Sequence, residues 1–519
     1  MYDKQSGTIY LGKSGDKKIC IYPKMANRHG MICGATGTGK TITLKVLAES
    51  FSDMGVPVFL ADVKGDLAGF CRPGNDSEDM QARIERFGLK EDGFEYSSYP
   101  TNFWDVYADK GMPLRTTVSE MGPLLLARIL GLNDTQTNVL AMIFKIADDN
   151  NMLLIDTKDL KAMLNYAADH AKEYAADYGS IARQSVNAII RSLVNLESQG
   201  GEYFFGEPAL DINDWLRRDS DKGPIQVLDC QKLINNPVMY ATFLLWMMSE
   251  LFESLPEVGD LEKPKIVFFF DEAHLLFDNA PKALMTRIEQ VVKLIRSKGV
   301  GIFFVTQNPA DIPDSILAQL GNKIEHALHA YTPAEQKKAK AAAQSFVVNP
   351  AFDTYETLLS LGTGEALVSV LDEKGVPTMV EYTKILPPCS LMGTIDDSTR
   401  DGVIRSSSLF SRYSDYFDRD SAYEFLQRNR TLVEGEVPAT QEPAAASASQ
   451  GAKPKPDKNS LSYKSAKAAQ SVAKTGAGTV GREVGKTVGG AIGGKFGKTL
   501  GGNIGSSIGR NFLGVFFKT

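Results

Sequence analysis

The 519-residue sequence predicts an α/β fold. A mainly parallel sheet carries a phosphate-binding loop, is interrupted by an all-helical insertion and is followed by a disordered, glycine-repeat tail. Three observations predict this. A short apolar run, Met31-Ile32-Cys33, leads into Gly34-Ala35-Thr36-Gly37-Thr38-Gly39-Lys40-Thr41, which fits G-x-x-x-x-G-K-[ST] and opens a helical pattern at Ile42. Apolar runs of strand length recur at 56–60, 225–229, 265–270 and 301–305, as fully buried parallel strands do. Residues 115–200 show only helical periods.

Composition sets the outer bounds. The length exceeds what one compact core holds, so more than one unit is expected. From residue 461 on there are nine Lys/Arg against one acid, Glu483. The remainder, with 48 basic and 62 acidic residues, carries −14, which argues against broad nonspecific adhesion to nucleic acid. Cys20, Cys33, Cys71, Cys230 and Cys389 are scattered and form no C-x-x-C, which suits a reducing cytoplasm. No signal-peptide apolar region and no membrane-length apolar run are evident.

Along the chain, residues 8–11 and 18–22 read as a small hairpin around Gly15-Asp16 that decorates the core. Asn27-Arg28-His29 enter the loop strand, with His29 read as a packing residue. In the loop, Gly34, Gly37 and Gly39 let backbone N–H groups turn toward a diphosphate, framed by Ala35, Thr36, Thr38 and Ile42. The helix from Lys40 adds its positive end. Lys40 is placed to reach the β- and γ-phosphates of ATP, and the Thr41 hydroxyl to hold Mg²⁺.

After the strand at 56–60 comes Asp62-Val63-Lys64-Gly65-Asp66, at the sheet edge where ligands bind. Asp62 has two readings, a nucleotide or subunit-edge contact and a solvated turn. Residues 70–114 read as mixed and loop-rich. The last helix of the insertion is expected from Ser180, as N-cap, to Gly200-Gly201. Phe204-Phe205-Gly206 then read as a packed corner.

The α/β pattern resumes at 225–229 and a core helix is expected at 238–252. The apolar strand at 265–270 ends in Asp271-Glu272-Ala273-His274. If the strands are parallel, Asp271 anchors Mg²⁺ and Glu272 acts as general base on the attacking water. His274 either couples hydrolysis to motion or caps the next turn. The next strand, 301–305, ends in Thr306-Gln307, and Gln307 is the candidate γ-phosphate sensor. Arg296 ends the preceding helix and can serve a neighbouring subunit's γ-phosphate in a ring, or be a solvated surface residue. Strands at 324–329, 364–371 and 376–383, the last two a closing hairpin, complete the core, and Lys337, Lys338 and Lys340 read as a solvated helix face or a phosphate-contacting one.

Residues 34–41, Asp62-Val-Lys-Gly-Asp66, Phe270-Asp-Glu-Ala-His274 and Ile295-Arg-Ser-Lys-Gly-Val-Gly301, running into Val305-Thr-Gln-Asn-Pro309, resemble the HerA/FtsK branch of P-loop motor ATPases, most closely the HerA-like helicase domain. Asn27-Arg-His-Gly30 and Gly200-Gly-Glu-Tyr-Phe-Phe-Gly-Glu-Pro208 resemble its bacterial YjgR-like sub-branch. The resemblance covers about residues 7–390. It implies a RecA-like core, a hexameric homo-oligomer that hydrolyses ATP to translocate or unwind DNA, Arg296 as trans finger and Gln307 as sensor. HerA-like proteins usually open with a larger β-barrel domain that docks a partner nuclease. Only a short stretch precedes the loop here, which leaves the helical insertion as its candidate replacement.

The resulting organisation is a core at 1–114 and 209–390, the insertion at 115–208, a helical extension at 391–432, a disordered linker at 433–475 and a basic tail at 476–519. Glycines recur every fourth residue from Gly481 to Gly509, each preceded by an apolar residue. That stripe suits self-association, an anionic membrane surface or DNA, or else a disordered tail. The expected location is cytoplasmic, with peripheral membrane association of the tail as a variant. An ATPase acting on a protein or membrane partner is the alternative to a DNA motor, and a nucleotide switch without turnover is disfavoured by Glu272.

Overall fold

A computed structural model describes residues 1–434 apart from 92, 278–281 and 418; the expected linker from 435 on and the glycine-repeat tail lie outside the described residues. Thirteen strands join into one sheet among the described residues. They are β1 Tyr2–Asp3, β2 Thr8–Ser14, β3 Lys17–Ile21, β4 Gly30–Cys33, β5 Val58–Asp62, β6 Thr101–Asp105, β7 Met112–Pro113, β8 Ile225–Asp229, β9 Ile266–Phe270, β10 Val300–Thr306, β11 Asn322–His326, β12 Glu365–Ser369 and β13 Glu381–Ile385. The order is β1-β2-β13-β12-β11-β4-β10-β9-β5-β8-β6-β7, with β3 beside β2. From β11 to β7 every pairing is parallel; from β11 through β12 and β13 to β2 every pairing is antiparallel.

The apolar runs follow from coverage on both faces. In β9, Phe268 and Phe270 enter one core while Val267 and Phe269 enter the other. The helix Lys40–Asp53 supplies Leu44, Leu47 and Phe51 to the second core. The helix Pro237–Ser254 supplies Phe243, Trp246 and Met247 to the first. A sheet with no solvated face needs no polar alternation, which is why these strands read as continuous hydrophobic stretches.

Residues 118–196 form the helices Val118–Ile129, Asp134–Asp149, Thr157–Asp169, Ala171–Tyr178 and Arg183–Leu196. Reciprocal caps start three of them, at Thr117/Glu120, Asn133/Gln136 and Asp156/Asp159. Their buried Leu140, Ile143, Met163 and Leu193 belong to the same core as Phe204 and Trp246. The last helix starts at Arg183, and Ser180 does not cap it. Ile181 is buried there, and its packing holds the entering chain extended past the expected start. Asp159 also accepts from Ser421 Oγ (2.5 Å) and Tyr423 N (2.9 Å), pinning the helix Ala422–Glu434 onto this segment.

Three other sequence expectations shift. The loop-rich stretch contains β6 and the helix Glu78–Phe87, capped by Ser77. Trp104 on β6 donates Nε1–H to Gln226 on β8 at 2.8 Å. The expected strand 376–383 moves to β13, since Pro377 lacks the donor a central ladder needs. The N-terminal hairpin is no separate ornament, because β2 pairs with β13 and continues the main sheet.

His29 locks the entry to β4. It is buried with a left-handed φ of 58°. Its Nε2 faces Val292 O (2.8 Å) and its Nδ1 accepts from Ile302 N (3.1 Å), which fixes a neutral ring with the proton on Nε2. Asn322 clamps the same turn, donating to Met25 O and His29 O, each at 3.0 Å. Burial pushes His29 down to about 4 from 6.5. The unfolded chain therefore takes up this proton first. The stability His29 contributes is complete above pH 6.5 and is lost as pH falls toward 4. Between pH 7.5 and 5.5 the wild type should lose about 1.4 kcal/mol more than His29→Gln in urea unfolding. Equal losses would remove His29 from the proton balance of folding.

Candidate active site at the carboxyl edge of the sheet

The glycine loop leaves β4, which lies between β10 and β11. Gly37 and Gly39 have φ of 79° and 120°, a region closed to most side chains. A Cβ on Gly39 would also meet Gly364 Cα and His326 Cε1 at 3.3 Å. Thr38 O accepts from Gly364 N (2.9 Å), and Ala35 N donates to Ala327 O (2.8 Å). The loop is thus braced by the ends of β11 and β12, while Thr36 and Gly37 stay exposed. Lys40 folds over its own loop and donates Nζ–H to Gly34 O (2.7 Å) and Ala35 O (3.0 Å). Burial lowers the pKa of its ammonium. Thr41 and Ile42 sit half-buried in the first helical turn, beside the helix's positive end.

Across the edge, β10 separates β4 from β9, with Thr306 opposite Cys33 and Phe304 opposite Phe270. That register sets Asp271, Glu272 and Gln307 at the same edge as the loop. Glu272 is buried, with a left-handed φ of 47°, a conformation a non-glycine residue holds only where its surroundings impose it. Its Oε1 lies 2.5 Å from Lys64 Nζ. Its Oε2 accepts from Gln307 Nε2 at 3.2 Å and lies 3.3 Å from His274 Nδ1. His274 therefore touches the carboxylate rather than only capping a turn.

The two acids are pushed apart. Burial, then the neighbouring Glu272 charge, raises Asp271 to about 6. Burial also pushes Glu272 upward, but the Lys64 ammonium, Gln307 and His274 outweigh it and hold Glu272 below the usual carboxylate range. Glu272 is thus an ionised acceptor at neutral pH.

Among the described residues no three His, Cys, Asp or Glu side chains gather into a metal cage. Thr41 and Asp271 are hard oxygen donors of the kind Mg²⁺ takes when phosphates and water complete its shell, so the residues present fit that ion. Asp62 is neither solvated nor turned to this site. It is buried and accepts from Gly65 N (2.7 Å) and Leu67 N (3.1 Å), shaping the loop that presents Lys64. Arg296 is not brought to the site within the chain. It precedes the amino end of β10 and pairs with Asp260 at 3.1 Å.

Sequence reasoning passed over Lys64, His326 and Gly364. Lys64 had a signal, two residues beyond an apolar strand. His326 had none, since its Nε2 meets Thr43 Oγ1 at 2.8 Å only through tertiary pairing. Lys40→Ala should lower hydrolysis of ATP roughly 10²-fold or more. Nucleotide binding, followed with a fluorescent ATP analogue, should fall with it, and unaltered binding and turnover would remove Lys40 from the site.

The family described as helicase HerA-like C-terminal matches residues 9–508. The DNA double-strand break repair helicase HerA of Sulfurisphaera tokodaii is 24% identical over 370 residues, covering 70% of this chain and 66% of the relative. The probable helicase MJECL08 of Methanocaldococcus jannaschii is 32% identical over 175 residues, covering 32% of this chain and 31% of the relative. This chain thus spans a little under two thirds of the first relative and under a third of the second. Among solved structures, VirB4 of Thermoanaerobacter pseudethanolicus aligns with a TM-score of 0.46 at 18% identity, over 73% of this chain and 96% of that one. With the family match running across nearly the whole length, the chain belongs to the helicase HerA-like C-terminal family.

Proposed function

We propose that the protein is an ATP-hydrolysing ring motor that translocates or unwinds DNA. The observation that carries the hydrolytic part is the Glu272 carboxylate, ionised and held by Gln307 on the same edge as the glycine loop. A nucleotide switch without turnover has no need of a base at that place.

The loop amides and Lys40 hold the β- and γ-phosphates, the helix end at Thr41–Ile42 adding its dipole. Thr41 and Asp271 would hold Mg²⁺, which when bound would offset phosphate charge. Glu272 takes the proton of the attacking water at a carboxylate oxygen. Gln307 fixes that carboxylate and senses the γ-phosphate from the end of β10. Arg296 serves the neighbouring subunit in a hexameric ring. The HerA of Sulfurisphaera tokodaii, named as a DNA double-strand break repair helicase, supports DNA as substrate.

The alternative keeps the mechanism and replaces DNA by a protein or membrane-associated partner. The acidic balance of the part before residue 461 favours it. No helix among the described residues is long and apolar enough to cross a membrane.

ATP hydrolysis measured with and without single- and double-stranded DNA, beside oligomer mass, tests the assignment. DNA should stimulate the rate in a hexamer-sized particle, and no response across a salt series would reject the DNA motor. Glu272→Gln should bind ATP with turnover reduced roughly 10²-fold or more. Arg296→Ala subunits mixed with Glu272→Gln subunits should regain part of the activity; no recovery in proven mixed rings would reject the trans role.

A further inference from the structure

Both oxygens of the base are already engaged. Lys64 holds Glu272 Oε1 at 2.5 Å, and Gln307 and His274 face Oε2 at 3.2 and 3.3 Å. A water that is to give its proton to Oε1 therefore has to compete with the Lys64 ammonium for that oxygen, while Oε2 is already turned to two other groups. Of these partners Lys64 carries a fixed charge on the longest flexible stem. The Lys64 side chain is 42% exposed, against 5% for Glu272.

The backbone around Lys64 does not share that freedom. Asp62 ties the turn through Gly65 N and Leu67 N. Lys64 O accepts from Gln231 Nε2 at 2.8 Å. A Cβ on Gly65, where φ is 78°, would meet that same amide nitrogen at 1.8 Å. The turn is therefore fixed on both sides, and only the four-carbon stem of Lys64 can swing.

We propose that Lys64 is a phosphate-responsive latch on Glu272, closed in this structure and opened by the phosphate backbone of nucleic acid. The inference rests on the hydrolytic reading of the site. The competitor for an ammonium paired with a carboxylate is another oxyanion. Two sources can present one here, a nucleic-acid strand and the γ-phosphate of the nucleotide.

The surroundings favour the strand. Gln231 Oε1 accepts from Lys110 Nζ at 2.6 Å, and Lys232 follows it, paired with Asp109 at 2.6 Å. Lys64, Lys232 and Lys110 thus come from loops after β5, β8 and β6, three neighbouring strands. Asp66, Asp105, Asp109, Asp229 and Asp271 also face this edge. Of these, Asp105 is buried and accepts from the backbone N–H groups of Tyr107, Asp109 and Lys110. A row of lysines spaced by strand separation suits successive phosphates of an extended chain. When a phosphate draws Lys64 outward, Glu272 Oε1 is free to accept the proton of water, and hydrolysis becomes contingent on an occupied strand. Lys64 is then a positioning residue that acts through Glu272.

The test is the ATPase rate of the full chain at saturating ATP, for wild type, Lys64→Met and Lys64→Arg, with and without single-stranded DNA. The DNA-free rate of Lys64→Met should rise roughly fivefold, the rate equivalent of an ion pair worth about 1 kcal/mol. Its further stimulation by DNA should vanish. Lys64→Arg should stay repressed without DNA and respond to it, and both variants should keep the far-ultraviolet circular dichroism spectrum of the folded wild type. Equal DNA-free rates for Lys64→Met and wild type overturn the latch, because a latch opened by the γ-phosphate leaves nothing for DNA to release. A fall in rate in both conditions overturns it as well, making Lys64 a cation the reaction needs. A wild type indifferent to DNA, beside a raised DNA-free rate in Lys64→Met, rejects the DNA motor and overturns the opening of the latch by nucleic acid, leaving only the restraint of the base by Lys64.

Discussion

Parallel pairing of β4, β10, β9 and β5 is the constraint from which the site follows. With strands parallel, every carboxyl end falls on one edge, and with helices on both faces the only route out of each strand is a loop at that edge. The registers Val305↔Ile32, Phe304↔Phe270 and Ala61↔Phe270 leave no slack. A one-residue slip in β9 would exchange the core assignments of Phe268 and Phe269 and turn both faces of the sheet inside out. The apolar packing that fixes the fold therefore also fixes the separation of Gly34, Glu272 and Gln307, which come from three different strand ends.

That edge concentrates charge in a place where burial resists it. Two adjacent acids, Asp271 and Glu272, are both buried and cannot equally well be ionised. Lys64 resolves the conflict for one of them. Its ammonium lowers Glu272, while burial and then the Glu272 charge keep Asp271 raised at about 6 despite the same ammonium. Neighbouring carboxylates with opposite shifts can take different roles, one for a cation and one for a proton. The left-handed backbone at Glu272 belongs to the same arrangement, a strained conformation at the end of β9 whose side chain is held by Lys64 and Gln307.

Much of this was legible because strand burial and loop chemistry leave local marks. The glycine loop, the apolar strand ending in Asp271-Glu272, and Gln307 at the end of the next strand all carry their meaning within ten residues. β6 was not legible, because Thr101, Asn102 and Asp105 dilute its apolar pattern and its Trp104 is anchored by Gln226, far along the chain. The start of the last insertion helix was misplaced for a related reason. Ser180 has a capping side chain, but the burial of Ile181 outweighs a local cap. Lys64, His326 and Gly364 depend on contacts between strand ends that no single window contains. Asp62 shows the converse. Its position at a strand end advertised a ligand, and its carboxylate was used to build the turn that carries Lys64.

Arg296 has a consequence for assembly. It precedes the amino end of β10, whereas the loop, Glu272 and Gln307 gather beyond the carboxyl ends, and β10 is seven residues long. At about 3.3 Å per residue the strand alone separates the two by roughly 20 Å, beyond the reach of any side chain. Its pairing with Asp260 gives it a partner on its own side of the sheet. Within a single subunit, then, no motion short of unfolding β10 brings Arg296 to the phosphates. An arrangement that uses Arg296 in hydrolysis must place the amino edge of one sheet against the carboxyl edge of the next. Such contact is head-to-tail, uses two different surfaces on each subunit, and closes into a ring or runs on as a filament. The proposed hexamer and the proposed finger are for that reason one hypothesis: the arginine's position excludes a two-fold dimer in which identical edges meet as its working assembly.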